Sequence, residues 1–134
     1  MTKVLLLAKA DTAFRRLSTQ CNDIEVIQEV MTEAISYKLV EGSFDVLVIA
    51  SGDIGDHTVN FIKSIRTDMD RNLQIPIIIV DEANTLSLLN KMALYEAGVN
   101  YVCANTVEDL TLLYSFIVSL GKLVGLLKNS SRMK

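Results

Sequence analysis

Length, composition and charge limit the classes of protein to which this sequence can belong. Its 134 residues suffice for one domain with a buried core, and with 50% apolar and 22% charged residues the chain is globular rather than disordered. The net charge of -3, the lack of Trp and the scattered Lys and Arg argue against nucleic-acid binding. With two cysteines and no signal-peptide pattern at the N-terminus, we expect a cytoplasmic protein with reduced thiols.

Short apolar runs alternate along the chain with stretches of helical spacing. We expect strands at 4–7, 24–27, 46–49, 75–80 and 101–103. We expect helices at 12–19, 32–40, 58–67, 86–97 and from residue 105 or 106 onward. The third strand is apolar at every position, which is typical of a strand covered on both faces in a parallel sheet.

Five strands alternating with five helices predict an α/β protein with right-handed crossovers. The number of units and the length favour a three-layer, doubly wound, five-stranded parallel sheet of order 2-1-3-4-5, the flavodoxin-like order. We expect this domain to span residues 1–127, with a flexible tail at 128–134. In such a sheet the functional crevice lies at the carboxyl ends of the strands, near the point where the strand order reverses.

Three segments at these strand ends resemble the receiver domain of response regulators, the CheY-like type. They are residues 45–50, 75–83 and 97–104, and the resemblance extends over residues 3–127. It implies the fold predicted above and a role in two-component or phosphorelay signalling. It also implies partners that are proteins: a kinase, an output domain or another receiver.

The positions that carry the chemistry of an active receiver are altered in this sequence. The family uses an acidic pair that binds Mg²⁺, an aspartate that accepts the phosphoryl group, a hydroxyl and a lysine. By the resemblance, these positions correspond to Ala8, Lys9, Ala50, Asp81 and Ala104. The family's switch aromatic corresponds to Tyr101. These changes together predict a degenerate pseudo-receiver that has lost Mg²⁺-dependent phosphorylation.

Asp53 follows Ala50 by three residues and is a conceivable substitute acceptor. We do not favour it, because the metal ligands and the lysine are still missing. Tyr101 has two interpretations, a switch residue or an aromatic side chain packed at a sheet edge, and the sequence does not separate them.

Several charged side chains are expected on loops around the same crevice. They are Lys9, Asp11, Asp53, Asp81 and Glu82. One hypothesis pairs Lys9 with Asp81 as an internal ion pair that replaces the phosphate and its partners. The simpler interpretation is a set of solvated loop charges, which contribute about 0–1 kcal/mol each.

Other candidate sites are weaker, and we expect no enzyme, no metal and no cofactor. Residues 51–55 contain glycine but lack the Gly-Lys-Ser/Thr of a phosphate-binding loop. His57 is the only histidine and has no Cys near it in sequence, which argues against a metal site. Ser51 has no histidine positioned to activate it.

The last helix is apolar on two sides. One stripe consists of Leu110, Leu113, Ile117, Leu120 and Val124. The second consists of Leu112, Phe116, Leu123 and Leu127. A membrane span is disfavoured because Lys122 and two glycines interrupt a short run. Tighter packing within the domain is an alternative, but we favour one stripe on the sheet and the second on a partner, most simply in a two-fold homodimer.

Two hypotheses about function follow from these observations. The first is a non-catalytic signalling pseudo-receiver that acts through protein–protein contacts and dimerises through its last helix. The alternative is a small-ligand sensor that uses the crevice around Lys9, Asp53 and Asp81.

Overall fold

The structure is a computed structural model that describes residues 1–32, 34–67 and 74–132, with side chains described as far as residue 123. The strands are β1 (Thr2–Leu7), β2 (Ile24–Glu29), β3 (Val46–Ser51), β4 (Ile77–Asp81) and β5 (Tyr101–Ala104). The helices are α1 (Ala13–Ser18), α2 (Ile35–Gly42), α3 (Asp56–Arg66), α4 (Leu88–Ala97) and α5 (Val107–Arg132).

The five strands form one parallel sheet in the order β2-β1-β3-β4-β5, which confirms the predicted fold class. Side chains of β3 alternate between the two faces, because successive residues of a strand point to opposite sides. Val46, Val48 and Ala50 lie in the core layer that α1 and α5 cover. Leu47 and Ile49 lie in the layer that α2, α3 and α4 cover.

Local chemistry explains where several elements begin. Thr12 caps α1 by accepting from the Arg15 N–H, and Ser87 caps α4 by accepting from the Asn90 N–H. Thr106, one of the two caps expected for the last helix, accepts from the Asp109 N–H. β4 begins at Ile77 rather than at residue 75, because the proline before it has no N–H to contribute to the ladder.

The helix bounds differ from the predicted ones by up to three residues. α2 begins at Ile35 and ends at Gly42, where Ser43 takes a left-handed conformation with φ 52°. α3 begins two residues early, at Asp56, because Gly55 serves as its N-cap. α4 begins at Leu88, two residues later than predicted, and ends at Ala97, where Gly98 with φ 120° is the C-cap, as predicted.

α5 is the longest helix, and it extends beyond the sheet. Its backbone is helical through Arg132, so positions 128–132 of the predicted tail are helical and positions 133–134 lie outside the described residues. The flexibility expected of this tail stays a prediction. Gly121 lies against Thr2 at the amino end of β1, which places residues 122–132 past the edge of the sheet.

Candidate functional site

The positions identified from the sequence lie side by side along the carboxyl edge of the sheet. In the strand register Leu7 pairs with Ile49, which sets Ala8 and Ala50 at neighbouring strand ends. Ser51 pairs with Asp81, and Asp81 pairs with Ala104. A parallel sheet brings these residues together because every strand ends at the same edge.

A crevice of about 510 Å³ opens at this edge between the loops that follow β1, β3 and β4. It lies at the reversal of strand order between β1 and β3, where ligands bind in open α/β sheets. Eight of the residues singled out from the sequence line it: Ala8, Lys9, Asp11, Ala50, Ser51, Asp53, His57 and Glu82. Its floor is apolar, because Ala8 and Ala50 are buried and uncharged.

Asp81 and Ala104 do not line this crevice. They line a separate pocket of about 110 Å³ beside the β4–α4 loop. The Asp81 side chain is buried, and its carboxylate accepts a hydrogen bond of 2.9 Å from the Leu86 N–H. In residues 1–32, 34–67 and 74–132 no ion pair joins Lys9 to Asp81, so the internal pair proposed from the sequence is wrong. The carboxylate fixes the loop that leads into α4 instead.

Two asparagines complete this part of the edge: Asn105, which the sequence predicts only as a possible cap of the last helix, and Asn84, which it does not predict as part of the site. The Asn105 N–H donates to Asn84 Oδ1 over 2.8 Å, and Asn105 Nδ2 donates to the Glu82 carbonyl over 3.3 Å. Asn84 has φ 54°, a conformation that Asn tolerates better than most residues. Together with Asp81 they tie the loop after β4 to the loop after β5. The sequence signals were an Asn in a turn, at position 84, and an Asn at a helix start, at position 105.

The charges at the crevice are arranged around its rim. Asp11 forms an ion pair of 2.6 Å with Arg16, and both side chains are exposed, so the pair adds little stability. Burial raises the pKa of Glu82, and nearby Arg16 partly opposes this shift. In the part of the chain that the structure describes, no three His, Cys, Asp or Glu side chains come together as a metal site.

Ser51 and His57 both line the crevice without forming a catalytic pair. Ser51 Oγ accepts from the Asp53 N–H over 3.0 Å. No hydrogen bond links Ser51 to His57 within the described ranges. The arrangement therefore lacks the nucleophile and base contact that acyl transfer requires.

Tyr101 lies on a second surface, away from the crevice. Its ring is partly exposed and packs against Phe116 of α5, with ring centroids 6.4 Å apart and planes tilted by 55°. Next to it, the Val102 N–H donates to the Tyr95 hydroxyl of α4 over 3.1 Å. Aromatic side chains therefore link α4, β5 and α5.

The two stripes of α5 face in different directions. Leu110, Leu113 and Ile117 are buried against the sheet. Leu112 is 68% exposed and Phe116 is 45% exposed, and Leu123 is also exposed. The side chains of Val124 and Leu127 lie outside the described residues. Among the described residues, no helix combines the length and the hydropathy that a bilayer crossing requires.

The two cysteines are free thiols in different environments, and we expect them to differ in reactivity. Cys103 is fully buried, and burial, followed by the charge of Asp109, raises its pKa from 9.0 to about 11. Iodoacetamide at about pH 8 should therefore modify the partly exposed Cys21 and spare Cys103, as read by peptide mass spectrometry. The urea-unfolded chain is the control, in which both thiols react. Equal labelling in the folded protein would contradict the burial of Cys103.

The same shift predicts how alkaline pH affects stability. The folded protein holds the Cys103 proton more tightly than the unfolded chain does. The protonated Cys103 thiol therefore contributes to stability in full below about pH 9, and this contribution is lost as the pH rises toward 11. The free energy of unfolding should fall in that range.

Comparison with known proteins gives a consistent result at the level of the fold. No family model matches the sequence, and no curated protein matches it. A solved response regulator from Chloroflexus aurantiacus superposes with a TM-score of 0.68 at 19% identity, covering 88% of this chain and 98% of that one.

Two further structures cover most of both chains. The chemotaxis protein CheY4 of Vibrio cholerae matches at 19% identity and a TM-score of 0.65, covering 87% of this chain and 96% of that one. An atypical orphan response regulator with a phosphorylation-independent regulatory mechanism matches at 13% identity and a TM-score of 0.63, covering 90% and 96%. At these identities the likeness concerns the fold, and the chain has the fold of the CheY-like receiver domains of response regulators.

Proposed function

We propose that this chain is a signalling pseudo-receiver that works by protein–protein contact and without aspartate phosphorylation. Support comes first from the edge of the sheet. The places of the acceptor and of the lysine hold Ala50 and Ala104, and neither side chain carries an oxygen or a charge. The place of the hydroxyl holds Asp81, a buried carboxylate that accepts a hydrogen bond from the Leu86 N–H. A structural neighbour that is regulated independently of phosphorylation supports the same idea.

A mimic of the phosphoryl group tests whether the protein has lost aspartate phosphorylation. Beryllofluoride with Mg²⁺ needs a carboxylate acceptor and metal-binding carboxylates, which positions 8 and 50 lack. We expect no saturable NMR shift of the amides around Ala50, whereas an active CheY-type receiver under the same conditions gives one. If shifts do saturate, Asp53→Asn distinguishes the substitute acceptor from the rest of the crevice. Saturation that is lost in this variant would contradict the proposal.

The observation that carries the protein-contact part is an exposed apolar surface on α4, β5 and α5. We call it the α4–β5–α5 surface, and it consists of Leu88, Met92, Tyr95, Tyr101, Leu112, Phe116 and Leu123. A groove of about 270 Å³ between Tyr101, Leu112 and Phe116 lies within it. Contiguous apolar patches with exposed aromatic side chains are typical of protein interfaces.

The simplest occupant of this surface is a second copy of the chain in a two-fold homodimer. The projecting end of α5 continues from the same helix and would extend such an interface beyond the sheet. A kinase, an output domain or another receiver would be a further partner.

A charge at the centre of the surface is expected to abolish dimerisation. Phe116→Glu places a carboxylate beside Tyr101, and we expect the dimer dissociation constant to rise by about 30-fold or more, because central aromatic residues often contribute about 2 kcal/mol or more. Gel filtration with light scattering gives the measurement. Val40→Glu is a matched control, because Val40 is 48% exposed but lies on α2. A parent protein that is monomeric at high micromolar concentration would contradict the homodimer.

A further inference from the structure

The crevice at the β1–β3 end of the sheet has the size and floor of a small-molecule site. Its volume of about 510 Å³ falls within the range of such sites. Leu7, Ala8, Ile49 and Ala50 line its floor and are buried apolar residues. Where carboxylates would hold a metal in an active receiver, this floor offers methyl groups.

Thr58 gives an independent indication that the crevice accommodates a ligand. It is 1% exposed and lines the crevice from the first turn of α3. The described residues form no side-chain hydrogen bond with Thr58, and its hydroxyl is not fully enclosed, so it is open to the crevice. A ligand that enters the crevice and hydrogen-bonds to this hydroxyl gains affinity.

The charges of the rim restrict the chemistry of that ligand. Lys9 supplies one ammonium, while Asp53 and Glu82 supply two carboxylates, and Asp11 is already paired with Arg16. The surplus of negative charge disfavours a phosphate group. Carboxylates at the carboxyl ends of strands are suited to accept hydrogen bonds from sugar hydroxyls.

We propose that the crevice binds an uncharged nucleoside. The flat base lies on the floor beside Ala8 and Ala50, one polar atom of the base bonds to the Thr58 hydroxyl, and the ribose hydroxyls bond to Asp53 or Glu82. This activity goes beyond the signalling contact proposed above, because the crevice and the α4–β5–α5 surface share no residue.

Alanine methyl NMR tests the proposal directly. Protein with ¹³C-labelled alanine methyls is titrated with adenosine, guanosine, cytidine and uridine. We expect the Ala8 and Ala50 methyl signals to shift and saturate with at least one of them below about 5 mM. No shift with any of the four would overturn the proposal. The corresponding nucleoside monophosphate should bind at least about fivefold more weakly, and equal or tighter binding would overturn the requirement for an uncharged ligand.

Variants locate the binding to this crevice. Ala50→Leu fills the floor of the crevice and should weaken nucleoside binding by about tenfold or more. Thr58→Val keeps the shape of the side chain but removes the hydroxyl, and it should weaken binding by about fivefold. Ala104→Leu, at the same sheet edge but in the other pocket, is the matched control and should leave affinity unchanged.

If Ala50→Leu does not fold, Thr58→Val and NOEs from the Ala8 methyl to the base decide the question. Unchanged affinity in Thr58→Val without such NOEs would overturn the assignment. Phe116→Glu should bind the nucleoside normally, so the two proposals fail independently.

Discussion

Replacing Gly98 with alanine is expected to lower the free energy of unfolding by about 2–4 kcal/mol. Gly98 has φ 120°, outside the conformations that an L side chain adopts comfortably. An added Cβ would lie 2.6 Å from Arg66 Cγ. The Arg66 guanidinium donates to the Gly98 carbonyl over 2.8 Å and to Asn100 Oδ1 over 2.9 Å, so moving this side chain also breaks the link between α3 and the start of β5.

Urea denaturation followed by circular dichroism measures this loss. Gly52→Ala is the matched control, because an added Cβ there meets only Ala83 Cβ, at 3.9 Å, and its φ is outside the left-handed region. We expect this control to change stability by no more than about 0.5 kcal/mol. A Gly98→Ala variant as stable as the parent would show that Arg66 does not pack on this turn.

Gly121→Ala is expected to destabilise the protein by about 1–3 kcal/mol, although alanine is the better helix former. The helical preference alone would raise stability by about 1 kcal/mol. The new methyl group, however, would contact Thr2 Oγ1 and lie 2.8 Å from Thr2 Cβ at the amino end of β1. Thr2 is buried in a strand that pairs on both sides, so it cannot move away easily.

The sign of the effect tests the docking of α5 on β1. Ser119→Ala, an exposed change on the same helix, should alter stability by less than about 0.5 kcal/mol. Thr2→Gly combined with Gly121→Ala should recover part of the loss in a double-mutant cycle. If Gly121→Ala alone raises the midpoint of urea unfolding, the close approach of Gly121 to Thr2 is absent.

Most of the architecture could be predicted because its determinants are local. Unbroken apolar runs such as 46–49 indicate buried parallel strands, alternation with helices implies right-handed crossovers, and five units in this length favour the order 2-1-3-4-5. The bounds were less accurate. The starts of α2, α3 and α4 differ from prediction by two or three residues, because each helix follows a turn whose backbone conformation the residue pattern does not specify.

The sequence predicted where the candidate site lies, but not which of its side chains contact one another or line the same pocket. The sequence places Ala8, Ala50 and Asp81 at strand ends, and the parallel sheet necessarily brings those ends to one edge. It does not specify the direction of a loop side chain. Asp81 therefore turned out to bind the Leu86 N–H and to line another pocket, rather than to pair with Lys9.

The sequence by itself determined the fold class, the two apolar stripes of α5 and the absence of a side-chain oxygen at position 50, because periodicity and residue identity are properties of the chain. Only the tertiary structure decided which polar groups meet. It left the Thr58 hydroxyl facing a crevice, joined Asn84 to Asn105, and set Gly121 against Thr2. These contacts join residues from different elements, and their distances depend on how helices and loops pack on the sheet, which no local pattern encodes.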